Sequence, residues 1–277
     1  NERSSGWGSF FYVRSMHEIN TFQLLNVFTG EGARGNACCV CFTDDISDAK
    51  KLLLIAQDFN QPATAFVKRQ SAGVYNIRWF APEAEIDLCG HGALAATQVL
   101  LDDDHRLDEV SFHYKGGALR GMRVGGRVSI LGDGISCDES SVPRWLIDGF
   151  GEDVLAYFPS ANKHIVLMKD HRLISALKPN WPPLLESGVF SFAVTAEGSD
   201  ADFVSRVFLP SFIHKEDQAT GSAHMVLAPF WSQRLNKVSL EAHQVSPRGG
   251  RMKCVVSDQQ VQLIAACTYF GQGRVIS

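Results

Sequence analysis

The stretch Asp87-Leu88-Cys89-Gly90-His91-Gly92-Ala93 sets a thiol and an imidazole two residues apart in a glycine-rich run, just ahead of a small-residue helix pattern. Only the thiolate of a cysteine is a strong base or nucleophile, and a helix N-terminus is expected to favour that form at Cys89. Histidine, with an unperturbed pKa of about 6.5, moves protons near neutrality. Glycine lets backbone approach a ligand closely. The first-turn N–H groups of the following helix can receive a carboxylate or a phosphate. The chemistry these residues suit is proton transfer on a small anionic molecule.

A second run, Glu216-Asp217-Gln218-Ala219-Thr220-Gly221-Ser222-Ala223-His224, has the same design. Asp217 brings a carboxylate able to orient His91, or to act as an acid if desolvated. Gly90, Gly92, Gly221 and Ser222 offer backbone N–H groups to an oxyanion, with Thr220 at the helix entry. Plainer readings stand beside these. Cys89 packs as a small apolar residue, Asp217 caps the second helix, and Arg248-Gly249-Gly250 forms a turn. His113, His164, His214 and His224 read as ordinary packing.

The two runs belong to one repeat. Arg78-Trp79-Phe80-Ala81-Pro82 recurs as Arg206-Val207-Phe208-Leu209-Pro210, each ahead of its glycine loop. Gly117 to Ile130 parallels Gly250 to Leu263 in the same order. A period this long means two similar half-chains, not a solenoid of short units. The elements that must hold the loops are mostly short strands: 21–28, 37–42, 65–67, 75–80, 110–114, 121–124 and 127–131 in the first half. A helix over 45–59 and a second from Gly92 to about Leu101 complete it. The second half repeats this with helices at 145–150, 172–177 and 220–235 and strands at 154–158, 164–169, 189–195, 202–208, 239–244, 251–257 and 260–265. Asn162 reads as the counterpart of Asn36. Nothing here has the strand–helix alternation of a doubly wound sheet. The expected fold is α+β, with two pseudo-symmetric lobes (residues 16–140 and 141–277), each a curved, mostly antiparallel sheet wrapped around a central helix.

The composition is that of an ordinary water-soluble chain: 277 residues, 45% apolar, net charge −4. Scattered charge leaves no electrostatic footprint for nucleic acid, and no apolar run reaches the roughly 20 residues of a membrane span. Seven cysteines without zinc spacing suggest free thiols in a reducing, cytoplasmic setting. Residues 1–15 differ in character from the rest and read as an extension outside the fold.

Taken together, Asn26-Val27-Phe28 with Gly35-Asn36, the two Arg-x-Phe-x-Pro segments, Leu88-Cys89-Gly90-His91-Gly92, Glu216-Asp217-x-x-Thr220-Gly221-Ser222-Ala223-His224 and Gln244-x-Ser246-x-Arg248-Gly249-Gly250 resemble the phenazine biosynthesis PhzF-like isomerases, which share the diaminopimelate epimerase fold. The resemblance spans about residues 20–265. It implies an active site between the lobes, an isomerisation, epimerisation or cyclisation by proton transfer in secondary metabolism, no metal, no organic cofactor, and a homodimer. It matches His91, Asp217 and Ser222 to site positions, and Cys89 to the catalytic cysteine of diaminopimelate epimerase-like proteins.

The resemblance also implies a glutamate acid/base in the segment Asn60-Gln61-Pro62-Ala63-Thr64-Ala65-Phe66-Val67, and its position falls on Ala63. A methyl group carries no proton. The expectation is therefore an enzyme in which His91 and Asp217 do this work. The alternatives are an enzyme of another class, a dehydratase, hydrolase or positioning-driven cyclase using the same cleft, and a binding protein that lost its base.

Overall fold

The computed structural model describes residues 21–161 and 163–275. The 1–15 extension and Asn162 lie outside the described residues. The first half runs β1 (Thr21–Thr29), β2 (Asn36–Phe42), α1 (Ala49–Phe59), β3 (Ala63–Ser71), β4 (Val74–Phe80), β5 (Glu85–Ile86), α2 (Gly90–Asp103), β6 (Glu109–Tyr114), β7 (Gly117–Val124) and β8 (Arg127–Asp133). After α3 (Arg144–Phe150) the series repeats as β9 (Val154–Phe158), β10 (His164–Met168), α4 (His171–Ala176), α5 (Trp181–Glu186), β11 (Phe192–Glu197), β12 (Phe203–Phe208), β13 (Glu216–Asp217), α6 (Gly221–Leu235), β14 (Ser239–Gln244), β15 (Gly250–Ser257) and β16 (Gln260–Gly273).

Pairing repeats with order. In each half the second and third strands are parallel (β2–β3, β10–β11), as are the fourth and the one after the long helix (β4–β6, β12–β14). The other pairings are antiparallel. Strands β1, β2, β3, β4, β6, β7, β8 and β16 close into a barrel around α2, because the far end of β16 pairs with β1. From β16 the sheet continues through β15, β14, β12, β11 and β10 to β9, against α6.

Helix α2 is buried around nearly its whole circumference, from Gly90 to Leu101. A helix apolar on every side belongs inside a core, and small side chains let strands approach it. At Gly121 on β7 an added Cβ would lie 2.0 Å from Thr97 Oγ1, so only glycine permits that contact. Helix α6 has the same character, with Gly221, Ala223, Val226, Leu227 and Ala228 buried.

Three boundaries differ from expectation for local reasons. Helix α1 begins at Ala49, not Asp45, because Asp48 caps it, accepting from the Lys50 and Lys51 N–H groups. Helix α5 was not anticipated; its Pro182 and Pro183 sit in the first turn, where a missing N–H costs nothing. β16 runs eight residues past the expected 265, and those residues close the first barrel. Among the described residues, no helix is long and apolar enough to cross a membrane.

Candidate functional site

Both Arg-x-Phe-x-Pro segments are clamps that fix a glycine loop to its sheet. Arg78 makes two bonds to Glu85, at 2.7 and 2.8 Å, and donates to the Ile46 and Ser47 carbonyls. Arg206 does the same with Glu216, at 2.7 and 2.8 Å, and with the Ile174 and Leu177 carbonyls. Each clamp holds the short strand (β5 or β13) that leads into the central helix. Both arginines are structural.

The central helices enter with matching geometry. The N-cap of α2 is Cys89 (φ −124, ψ 97) and that of α6 is Thr220 (φ −119, ψ 99); neither side chain caps its helix. The Asp217 carboxylate accepts from side chains only, so the plainer reading of it as a cap for α6 does not hold. The N-termini meet head to head: a Cβ added to Gly90 would lie 3.1 Å from the Gly221 Cα, and the converse is equally close. Two sets of first-turn N–H groups and two positive dipole ends thus converge, with no acidic residue in either first turn.

Around that junction sits a polar cluster drawn from both halves. Asp217 accepts from Asn36 Nδ2 at 2.7 Å and from Thr220 Oγ1 at 2.7 Å, so both carboxylate oxygens are engaged. Gln244 locks the loop, accepting from the Thr220 N–H at 2.8 Å and donating to the Asp217 carbonyl and Thr220 Oγ1. Asn36 is fully buried, donates also to the Ala219 carbonyl, and its Oδ1 has no partner among the described residues. Arg248 is more than a turn residue: it donates to the Gly35 carbonyl and to Asn26 Oδ1, tying the β1–β2 connection to the second half.

His91 is buried, with Nδ1 3.4 Å from Cys89 Sγ, and the Ala37 backbone favours its charged form. Burial pushes its pKa below the usual histidine value, and the Asp217 carboxylate works against that push. The imidazole is therefore neutral at pH 7, a base. Asp217 acts on it through space and is not hydrogen-bonded to it.

Cys89 corrects an expectation. The dipole of α2 was expected to favour the thiolate. Burial instead pushes the thiol up to about 12, with Asp217 adding to the rise; the His91 and Gly92 N–H groups oppose it but do not win. Desolvation of a charge outweighs two N–H dipoles.

Ala63 opens β3, fully buried, directly across from Cys38 in the parallel pair. Its neighbours by alternation, Ala65 and Val67, pack in the core around α2 together with Cys89, so its methyl shares that face. Lys163, which the sequence reading passed over, also belongs to the cluster. It is buried, lies 5.1 Å over the Phe190 ring, and has its pKa lowered to about 8 by burial while Asp217 opposes the shift. His224 is packed as expected, stacked on Phe203 with Nδ1 bonded to the Thr220 carbonyl.

A cavity of about 330 Å³ reaches the same helix junction from another side. Its wall includes Leu88, Gly90, Ser222 and Met225 with Arg120 and Asp133 of β7 and β8. His91, Cys89 and Asp217 do not line it. The polar cluster lies toward β2, through Asn36 and Ala37, and the cavity toward β7 and β8; both touch the two helix N-termini.

Comparison with known proteins agrees with the architecture. The family model of phenazine biosynthesis-like proteins matches residues 25–130 and 145–273. An uncharacterized isomerase of Pseudomonas aeruginosa is 35% identical over 265 residues, covering 93% of this chain and 99% of its own. A crystal structure of a PhzF-family phenazine biosynthesis protein from Enterococcus faecalis superposes with a TM-score of 0.86 at 28% identity, covering 93% of this chain and 99% of that one. A phenazine biosynthesis PhzC/PhzF protein from Clostridium difficile gives 0.84 at 31% identity, covering 93% and 100%.

Proposed function

The chain belongs to the PhzC-PhzF family of phenazine biosynthesis-like proteins, and from that premise we propose that it is an isomerase that shifts a proton within a small carboxylate-bearing substrate, using His91 as base. The observation that carries this reading is the head-to-head meeting of Gly90 and Gly221, which aims two uncapped helix N-termini at one place beside a neutral buried imidazole.

A substrate carboxylate bound by the first-turn N–H groups of Gly90, Gly92, Gly221 and Ser222 makes its adjacent C–H more acidic, because charge moving into the carboxylate is met by fixed donors. Neutral His91 takes the proton. The Asp217 carboxylate, held in place by Asn36 and Thr220, stabilises the imidazolium that forms. The 330 Å³ cavity, with Gly90 and Ser222 in its wall, gives the anion a route to the same donors. Ala63 leaves the position where the family resemblance expects a glutamate without acid/base chemistry, which puts the demand on His91.

The test is isotope exchange. The protein is incubated in D₂O with a panel of unsaturated, hydroxylated and amino-substituted carboxylates, and deuterium at carbon is read by mass spectrometry. Carbon-bound deuterium above the heat-denatured control is expected for at least one compound, competitively blocked by benzoate. Exchange undiminished in the His91→Gln protein would refute the assignment.

A further inference from the structure

The halves can be aligned strand by strand through their clamps. Arg78 pairs across the ladder with Phe66 on β3, and Arg206 with Val194 on β11. Three residues before those partners stand Ala63 and Ser191, which are therefore equivalent positions at the entry of equivalent strands. The parallel neighbours follow suit. Ala63 lies opposite Cys38, and one step before the His164–Phe192 pair Lys163 stands beside Ser191. Alternation puts Cys38 and Ala63 on the face that Val40 and Ala65 present to the core around α2. It likewise puts Lys163 and Ser191 on the face of Ile165 and Ala193, which join the same core. Where the first half carries a thiol and a methyl, the second carries an amine and a hydroxyl, all four buried.

We propose that Lys163, seated beside Ser191, is the second proton-transferring group of the site, placed in the second half at the position equivalent to Cys38 and Ala63 in the first. This rests on the isomerase reading above and names the partner His91 needs. Two observations beyond the alignment support it. The Ser191 hydroxyl is fully buried with no partner among the described residues, and a polar group in that condition is an exception that a bound ligand would resolve. Lys163 keeps a buried ammonium, covered by the Phe190 ring, in the field of Asp217, the same carboxylate that acts on His91 and Cys89 from the other half. The charged group acting on it from a neighbouring element is the Asp217 carboxylate of β13.

The environments set the two roles apart. Burial leaves His91 neutral at pH 7, and Lys163 mostly protonated, its pKa being about 8. Pairs of titratable groups held in opposite protonation states are how acid and base are assigned in one site. His91 takes the proton from a substrate carbon, and the C–H electron pair enters the conjugated carboxylate system. The Lys163 ammonium delivers a proton to another carbon of that system or to the opposite face. His91 ends as imidazolium and Lys163 as neutral amine, and one proton passed back through solvent resets both. No electrons are exchanged with a third party.

The experiment uses the whole protein and isotope-coded acetic anhydride as the probe, with peptide mass spectrometry reading the reactivity of each lysine against pH. Lys163 is expected to reach half-maximal reactivity near pH 8. In Asp217→Asn that midpoint moves lower, since the carboxylate favouring the ammonium is gone. With a compound that exchanges deuterium, Lys163→Met is expected to lose at least a hundredfold in rate, and Lys163→Arg nearly as much, while Ser191→Ala loses roughly tenfold, all with melting temperatures near wild type. The wild-type rate is expected to plateau between the depressed His91 pKa and about pH 8 and to fall above it. Lys163 titrating with the surface lysines, or Lys163→Met exchanging at the full rate, overturns the proposal alone. A wild type that exchanges nothing overturns the isomerase reading on which it rests.

Discussion

The two halves share their strand order, their parallel pairings and their arginine clamps, yet they close differently. β16 spans 14 residues and its far end zips onto β1, whereas its counterpart β8 spans 7. The equivalent closure of the second half is reduced to a single bridge, Ser140 to Tyr157 on β9. Equivalent positions around the junction have diverged just as far: Cys89 against Thr220, His91 against Ser222, Ile86 against Asp217, Ala93 against His224. A duplicated scaffold keeps the parts that set backbone geometry and frees the side chains at its mouth. In the proposed reading each half then supplies one portion of the chemistry, the base from the first and the carboxylate and amine from the second.

The sharpest way to break that comparison is to remove one half's contribution. His91→Gln should lower deuterium exchange by about 10²–10⁴-fold, the usual worth of a general base. Asp217→Asn should fall in the same range, though both folds should survive with cooperative urea unfolding. If Ser222→His, which gives the second half the first half's residue, rescued His91→Gln, the halves would be functionally interchangeable and the division of labour wrong.

The clamps give the next largest effect, and they should differ. Arg206 and Glu216 are 11% and 15% exposed, Arg78 and Glu85 22% and 36%. Removing one partner of a buried pair strands the other and costs about 3–5 kcal/mol, while an exposed pair is worth about 1 kcal/mol or less. Urea unfolding should therefore show Arg206→Ala several times more destabilising than Arg78→Ala. Equal losses would mean the clamps act through their carbonyl bonds, which the two share, and not through the carboxylates.

These contrasts also explain what could be read from the chain. The clamps and glycine loops were legible because their chemistry demands particular residues at short spacing: Arg78 reaches a glutamate on the adjoining strand, and Gly90 and Gly221 must touch. Lys163 was not, because its equivalence to Cys38 depends on strand register across connections of different length, α1 on one side and α4 with α5 on the other. The burial that raises the Cys89 pKa was not legible, because sequence shows that a helix begins there but not that its first turn is dry. The long β16 was cut short because Ala266 to Gly273 lacks an alternating apolar pattern and carries two glycines near its end; its pairing with β1 is set by tertiary closure.

Acid stability should report a smaller difference between the helices. His224 sits where α2 has Ala93, and burial lowers its pKa to about 4. Between about pH 6.5 and 4 the unfolded chain binds a proton that the folded chain refuses, so stability falls as pH drops through that window, by about 3 kcal/mol at its lower end. His224→Phe should flatten the slope of unfolding free energy against pH there. A remainder will persist, since His91, His164 and His243 are shifted in the same direction. An unchanged slope would show that His224 is protonated in the folded protein.

The smallest effect belongs to Cys89. Its thiol is held protonated at neutral pH by burial, with a pKa near 12, so it offers neither nucleophile nor base, although it lies 3.4 Å from the imidazole. A thiol in that state packs as a small apolar group. Cys89→Ala should cost about 1 kcal/mol for the lost contacts and change the exchange rate by less than about threefold, the change in the His91 field being small beside loss of the base itself. Iodoacetamide at pH 7.5 should leave the Cys89 peptide unlabelled in the folded protein and label it after denaturation. The outcome that matters for the comparison is a large fall in rate with Cys89→Ala. It would mean that the thiol ionises when substrate binds, and that the first half supplies two proton-transferring groups where His91 alone is assigned.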